Sequence, residues 1–108
     1  MDAKVYAIIL NWNCWQQTVE CVASVQSSTR VRPSVVIVDN GSQDGSVSHL
    51  RAALPDANIL QTGENLGYAA GNRVGVTCAL REGADLVWIL NPDCRVDQNC
   101  LTELVRRH

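Results

Sequence analysis

Three apolar runs in the chain end in the same kind of residue. Val5–Leu10 leads into Asn11, Trp12 and Asn13. Val35–Val38 leads into Asp39 and Asn40, and Leu86–Leu90 leads into Asn91, Pro92 and Asp93. Amides and carboxylates placed directly after buried strands can do specific chemistry. A carboxylate accepts N–H hydrogen bonds, so Asp39 could take the N–H of a nucleobase. It can also ligate a hard divalent cation through oxygen, a role open to Asp93. Pro92 shapes that last segment. It pushes Asn91 toward extended geometry, so the strand is expected to continue through Asn91. It fixes its own φ and removes a ladder donor, which mounts Asp93 stiffly at the strand's end. Each segment alone reads equally well as a plain polar turn. Together they matter because an open α/β sheet binds its ligands beyond the carboxyl ends of its strands.

The usual phosphate-binding devices are missing. The residues after the first run are NWNCWQ, which hold no GxGxxG, and no GxxxxGK[ST] occurs anywhere. A diphosphate at this rim would therefore need another positive partner. A divalent metal, Mg or Mn, held by a carboxylate and the phosphates is the simplest source. The stretch GENLGYAAGNRVG places Gly63, Gly67, Gly71 and Gly75 four residues apart. On a helix Gly71 and Gly75 share a face, and each interior glycine costs about 1 kcal/mol relative to Ala. Such spacing implies close approach to a strand or a ligand. Asn72 and Arg73, on the same early part of that helix, are candidate ligand contacts or simply solvated residues. DNGSQDGS, after the second run, reads as a turn feeding a helix.

The elements that position these residues alternate. Val5–Leu10, Val35–Val38, Asn58–Leu60 (the weakest) and Leu86–Leu90 read as strands. The first, second and fourth lack polar alternation and read as buried on both faces, as in a parallel sheet. A capping-box-like pair, Asn13 and Gln16, opens a helix with Val19, Val22 and Ala23 as its core stripe. A second helix carries Val47, Leu50 and Leu54 and stops at Pro55. A third carries Ala70, Val74 and Cys78, with Gly83 as its terminating glycine. A fourth begins near Asp97 and shows Leu101, Leu104 and Val105. The order β-α-β-α-β-α-β-α argues for an α/β doubly wound sheet in a single domain, 1–108.

Bulk properties exclude several classes. The 108 residues are 46% hydrophobic, enough for one globular core, and the net charge of -2 gives no footprint for nucleic acid. No run approaches the roughly 20 apolar residues of a membrane span, and no secretory signal pattern is present. Five cysteines without a CxxC indicate neither a disulfide framework nor a zinc site, which fits a cytoplasmic location. Cys21 and Cys78 read as small core or helix residues. The final LTELVRRH ends inside a helical pattern, so the domain is expected to be truncated at its C-terminus.

IILNWN, VIVDNGSQDGS, GENLGYAAGNRVG and WILNPD, in this order and spacing, resemble the N-terminal half of a family 2 glycosyltransferase with the GT-A fold, in its rhamnosyltransferase-like form. The resemblance covers essentially the whole chain. It implies a Rossmann-like sheet of order 3-2-1-4 with helices on both faces, and a site for a nucleotide-diphosphosugar, a dTDP- or UDP-sugar. Asp39 matches the nucleobase-binding Asp, and Trp12 stands where the family often has an aromatic near the base. Asn91-Pro92-Asp93 matches the DxD motif, with Asp93 as ligand of Mg or Mn; Asn91 departs from the first Asp and is a candidate for the ribose side. Asn11, Asn72 and Arg73 complete the candidate donor contacts.

The implied reaction is inverting sugar transfer to a saccharide or lipid-linked acceptor, as in cell wall or polysaccharide biosynthesis. It would occur in the cytoplasm or, by peripheral association, at the inner face of the membrane. The family's catalytic base comes from the second half of the domain. His49 and His108 are poor substitutes, so this chain alone is expected to bind donor without catalysis. A non-catalytic nucleotide-binding or interaction module of the same fold is the competing reading. A phospho-receiver is disfavoured because Asn11 and Asn13 are not acids.

Overall fold

A computed structural model describes residues 3–27 and 32–92. Their element order is β1 (Val5–Asn11), α1 (Trp15–Ser27), β2 (Ser34–Asp39), α2 (Ser46–Ala53), β3 (Asn58–Gln61), α3 (Tyr68–Arg81) and β4 (Leu86–Leu90). The strands form one parallel sheet of order β3-β2-β1-β4. Both the alternation and the strand order agree with the sequence reading. The helix expected from Asp97, with Leu101, Leu104 and Val105, lies outside the described residues. Among the described residues no helix is long and apolar enough to cross a membrane.

The pleat sorts the core into two layers. Ala7 and Ile9 on β1, with Val35 and Ile37 on β2, face α1 and α2 and pack with Cys21, Val22, Val25 and Leu50. Ile8, Val36 and Val38 point the other way and pack with Ala79 under α3. Successive side chains on a strand alternate faces, so these β-branched runs feed both layers at once. Each fully buried Ile or Val stabilises the fold by about 1.5–3 kcal/mol.

Three expectations need correction. The buried face of α1 is Thr18, Cys21, Val22 and Val25, spaced i, i+3, i+4, i+7, while Val19 is half-buried and Ala23 exposed. Counting apolar residues alone hid Thr18, whose hydroxyl is buried because it is hydrogen-bonded. Asn13 does not cap α1. It sits in the left-handed region at φ 52, and α1 begins instead with the Cys14 carbonyl accepting from the Thr18 N–H at 3.1 Å. Finally, β4 is not buried on both faces: Ile89 is 45% exposed. Among the described residues it has β1 as its one neighbour, and its ladder ends at Leu90 rather than running through Asn91. The Asn91 carbonyl instead accepts from the Cys21 thiol at 3.6 Å.

The glycines of α3 behave as the spacing implies. A Cβ on Gly75 would lie 2.5 Å from Ile8 Cγ2 and 3.0 Å from Val38 Cγ2; on Gly71 it would lie 2.6 Å from Leu10 Cδ1. The buried ridge is therefore Gly71, Gly75 and Ala79, with Ala70, Val74 and Cys78 half-buried beside it. The helix rests directly on β1 and β2. It ends in a Schellman motif, with the Ala84 N–H on the Ala79 carbonyl (3.0 Å) and the Gly83 N–H on that of Leu80 (3.1 Å). Gly83 supplies the required positive φ of 90.

Candidate active site at the carboxyl rim

The register of the two central strands builds the site. Asn11 and Asp39 are directly paired at the ends of β1 and β2. Both continue the face that Ile9 and Ile37 present to α1, so their side chains meet beneath that helix. Asp39 is 3% exposed and its carboxylate is held by three donors. Oδ1 accepts from Asn11 Nδ2 at 2.9 Å and from Ser42 Oγ at 2.6 Å. Among the described residues Oδ2 accepts only the Ser42 N–H, at 3.1 Å. A buried carboxylate must be satisfied, and this one is, yet Oδ2 keeps a spare lone pair.

Asn11 is fully buried and its amide is spent inside the protein. Its Oδ1 accepts from Thr18 Oγ1 at 2.6 Å and its Nδ2 donates to Asp39. Asn13 ties the neighbouring loops together: its N–H donates to Ser42 Oγ (2.9 Å) and its Oδ1 accepts from the Gln43 N–H (2.8 Å). Trp12, between them, is 51% exposed and leaves an indole surface at the rim.

Asn40 faces the opposite way, toward α3. Its Oδ1 accepts from the Leu66 N–H and Thr62 Oγ1, both at 3.1 Å, and its Nδ2 donates to Asn65 Oδ1 (3.1 Å) and the Gly67 carbonyl (3.3 Å). This one side chain pins the 62–67 loop to the end of β2. Gly41, at φ 84, lets the backbones close up: a Cβ there would meet the Glu64 backbone at 2.7 Å. A cleft of about 330 Å³ remains at this end of the sheet, with Asp39, Ser42, Gln43, Ser46 and Gln61 among its walls. Among the described residues no lysine or arginine lines it.

Asn72 and Arg73 line a different groove, of about 500 Å³, with Tyr68, Ala69, Val76 and Ile89. Asn72 is 5% exposed, and neither polar atom of its amide has a hydrogen-bond partner among the described residues. Arg73 is exposed. Asn91 is exposed just past β4, and Leu90, paired with Ile9, sets it beside the end of β1. Asp93 lies outside the described residues. Among the described residues no three His, Cys, Asp or Glu side chains could hold a metal ion by themselves.

The structure thus brings Asn11 and Asp39 into contact, with Trp12 next in the chain. Sequence reading missed Thr18, Ser42, Asn40, Thr62 and Asn65. The only local signal was the Asp39–Ser42 spacing, where an Asp side chain accepts from a nearby backbone N–H. Elsewhere, His49 stacks on Trp15 between α1 and α2, ring centroids 4.2 Å apart. Burial, then the hydrogen bond to Glu82, pushes the Cys78 thiol above its ordinary pKa.

A parallel 3-2-1-4 sheet with helices on both faces is an architecture shared by the GT-A class of α/β domains. The chain belongs to glycosyl transferase family 2, whose family model matches residues 6–108. It is 32% identical over 95 residues to galactofuranosyltransferase GlfT1 of Mycobacterium tuberculosis, covering 86% of this chain and 31% of GlfT1. It is 34% identical over 76 residues to the low-salt glycan biosynthesis hexosyltransferase Agl10 of Haloferax volcanii, covering 68% of this chain and 24% of that protein. The chain therefore spans less than a third of the length of these curated relatives. Among solved structures, mannosyltransferase PcManGT from Pyrobaculum calidifontis, in complex with GDP-Man and Mn2+, superposes with a TM-score of 0.69 at 25% identity, over 86% of this chain and 28% of that one. S. aureus TarS in complex with UDP-GlcNAc shares the fold, with a TM-score of 0.73 at 18% identity over 95% of this chain and 30% of that one.

Proposed function

We propose that this chain forms the donor-binding part of an inverting glycosyltransferase and holds the nucleoside diphosphate of an activated sugar at the rim described above. The observation that carries the reading is Asp39: a buried carboxylate with one oxygen saturated and the other left able to accept. Uracil and thymine N3–H and guanine N1–H are donors of the kind it would take. The free indole of Trp12 offers the base a stacking face.

With no lysine or arginine among the described residues lining the cleft, the diphosphate charge is to be met by Mg or Mn at Asp93, which follows Asn91 and Pro92 in the sequence. Such an ion, when bound, neutralises charge building on the departing nucleoside diphosphate. Asn91 stands on the ribose side, and Asn72 and Arg73 offer amide and guanidinium donors to the sugar or phosphates from the adjacent groove. Asn11 acts through Asp39 rather than on the ligand itself. The N-P-D in place of D-x-D supports a rhamnosyltransferase-like member using a dTDP- or UDP-sugar, with a saccharide or lipid-linked acceptor. No residue of this chain is assigned the catalytic base.

Calorimetric titration with UDP- and dTDP-sugars, with and without Mn2+, tests this. Metal-dependent binding that Asp93→Ala abolishes and Asp39→Ala weakens is the expected result. Binding indifferent to the metal would remove the role given to Asp93. Binding indifferent to both substitutions would leave a nucleotide-binding or interaction module without a glycosyltransferase donor site.

A further inference from the structure

We propose that Thr18 and Ser42 are positioning residues that clamp one oxygen of the Asp39 carboxylate, Thr18 through Asn11, so that the other oxygen is aimed at the base. The inference rests on the donor-site reading given above and adds residues which that reading does not contain.

The chain of donors has one consistent direction. Asp39 can only accept, which turns the Asn11 amide nitrogen toward β2 and its Oδ1 toward α1, where Thr18 Oγ1 donates to it (2.6 Å). Asn11 Nδ2 then donates to Asp39 Oδ1 (2.9 Å). With the amide turned over, its oxygen would face a carboxylate oxygen at the same distance, two acceptors with no proton between them. From the other side Ser42 Oγ donates to the same Oδ1 (2.6 Å) and is itself held by the Asn13 N–H (2.9 Å). Both clamps converge on Oδ1, and among the described residues Oδ2 carries only the Ser42 N–H.

Thr18 lies on α1, Asn11 on β1, Asp39 on β2 and Ser42 on the following loop, so four separate segments agree on the orientation of one carboxylate. Asn11 and Thr18 are fully buried. Their hydrogen bonds form away from solvent, where losing a partner is most costly. A carboxylate held this way accepts from a base that offers an imino N–H and repels cytosine, whose N3 is itself an acceptor. The clamp therefore bears on base selectivity as well as affinity.

The test uses the 108-residue chain, with uridine diphosphate and cytidine diphosphate as probes and Mn2+ present. Thr18→Val keeps the shape and removes the hydroxyl; Thr18→Ser keeps the hydroxyl. Ser42→Ala is expected to weaken uridine diphosphate binding about tenfold, the order set by losing a hydrogen bond to a buried charged group, and Thr18→Val about fivefold, the order for its bond to the neutral Asn11 amide. They should also lower the uridine-to-cytidine preference, while Thr18→Ser stays within about twofold of wild type, the change when no hydrogen bond is lost. In an Asp39→Ala background Thr18→Val and Ser42→Ala should have no further effect, because what they position is gone.

A residue acting only on stability would leave selectivity alone and would penalise the Asp39→Ala background equally. Thermal melts follow every variant, and Ser42→Ala, on a loop outside the core, carries the test if Thr18→Val fails to fold. Binding that Asp39→Ala weakens but Thr18→Val and Ser42→Ala leave unchanged overturns the inference alone. Failure of the wild-type chain to bind either nucleotide overturns the donor-site reading and the inference with it.

Discussion

Adding one methyl group at Gly75 should destabilise this domain, although the same change on an exposed helix would stabilise it. Gly→Ala in a solvated helix interior gains about 1 kcal/mol. At Gly75 the new Cβ would stand 2.5 Å from Ile8 Cγ2 and 3.0 Å from Val38 Cγ2. Carbon atoms pack without repulsion at about 3.5–4.0 Å, so the first contact is roughly 1 Å too close. Neither neighbour can swing away. Both are β-branched, with stiff χ1, and both are fully buried. The helix must lift from β1 and β2, or Ile8 must leave its rotamer. Overpacking of this kind costs about 1–3 kcal/mol.

The net effect is a loss of up to about 2 kcal/mol once the helix-propensity gain is subtracted. For a domain of this size the full 2 kcal/mol lowers the melting temperature by roughly 8 °C, at about 4 °C per kcal/mol. Far-UV circular dichroism during heating, with urea unfolding alongside, measures it. A Gly75→Ala protein about 1 kcal/mol more stable than wild type, the gain of a solvated helix position, would refute the close packing of α3 on the sheet.

Two further outcomes follow from individual contacts. Asn40→Ala removes the acceptor of the Leu66 N–H and the donor to the Gly67 carbonyl. It should cost about 1–3 kcal/mol and speed hydrogen exchange at Leu66 well beyond the global change. Cys78 titrates above the ordinary thiol range because of burial and then Glu82. Below that raised pKa it is mostly thiol, so iodoacetamide at pH 8 should label Cys78 more slowly than a free cysteine peptide. Glu82→Gln should speed the labelling, read site by site by mass spectrometry.

Much of the fold was legible because its strands carry their own signal. Val5–Leu10 and Val35–Val38 are β-branched runs with no polar alternation, and both became central strands. β3, with half-buried Ile59 and Leu60 at an edge, gave the weak signal that its position explains. The glycine spacing of α3 forecast a close approach before the partner strands were known. The position of Asp39 at the end of β2 was legible as well, since it follows the apolar run directly.

What it touches was not legible, because those contacts depend on register between distant segments. Thr18 is a polar residue on a buried helix face, visible only once Asn11 is seen beneath it. Asn13 looked like a helix cap, but its side chain is drawn to the Gln43 N–H across the loop. Ile89 looked like core, yet it lies on a strand with one neighbour among the described residues. The carboxyl rim of β1, β2 and β4 was readable as a place, while the hydrogen bonds that make it a site were not.

The central claim is that a nucleoside diphosphate binds at the carboxyl ends of β1 and β2, against Asp39. Titrating isotope-labelled chain with uridine diphosphate and following its amide and indole resonances tests this most directly. The account predicts concentration-dependent shifts at Trp12, Asp39, Ser42 and Gln43, with Tyr6, Ser34 and Asn58, at the amino ends of the strands, unmoved. Shifts confined to those amino ends, or no saturable shift at the rim, would contradict it.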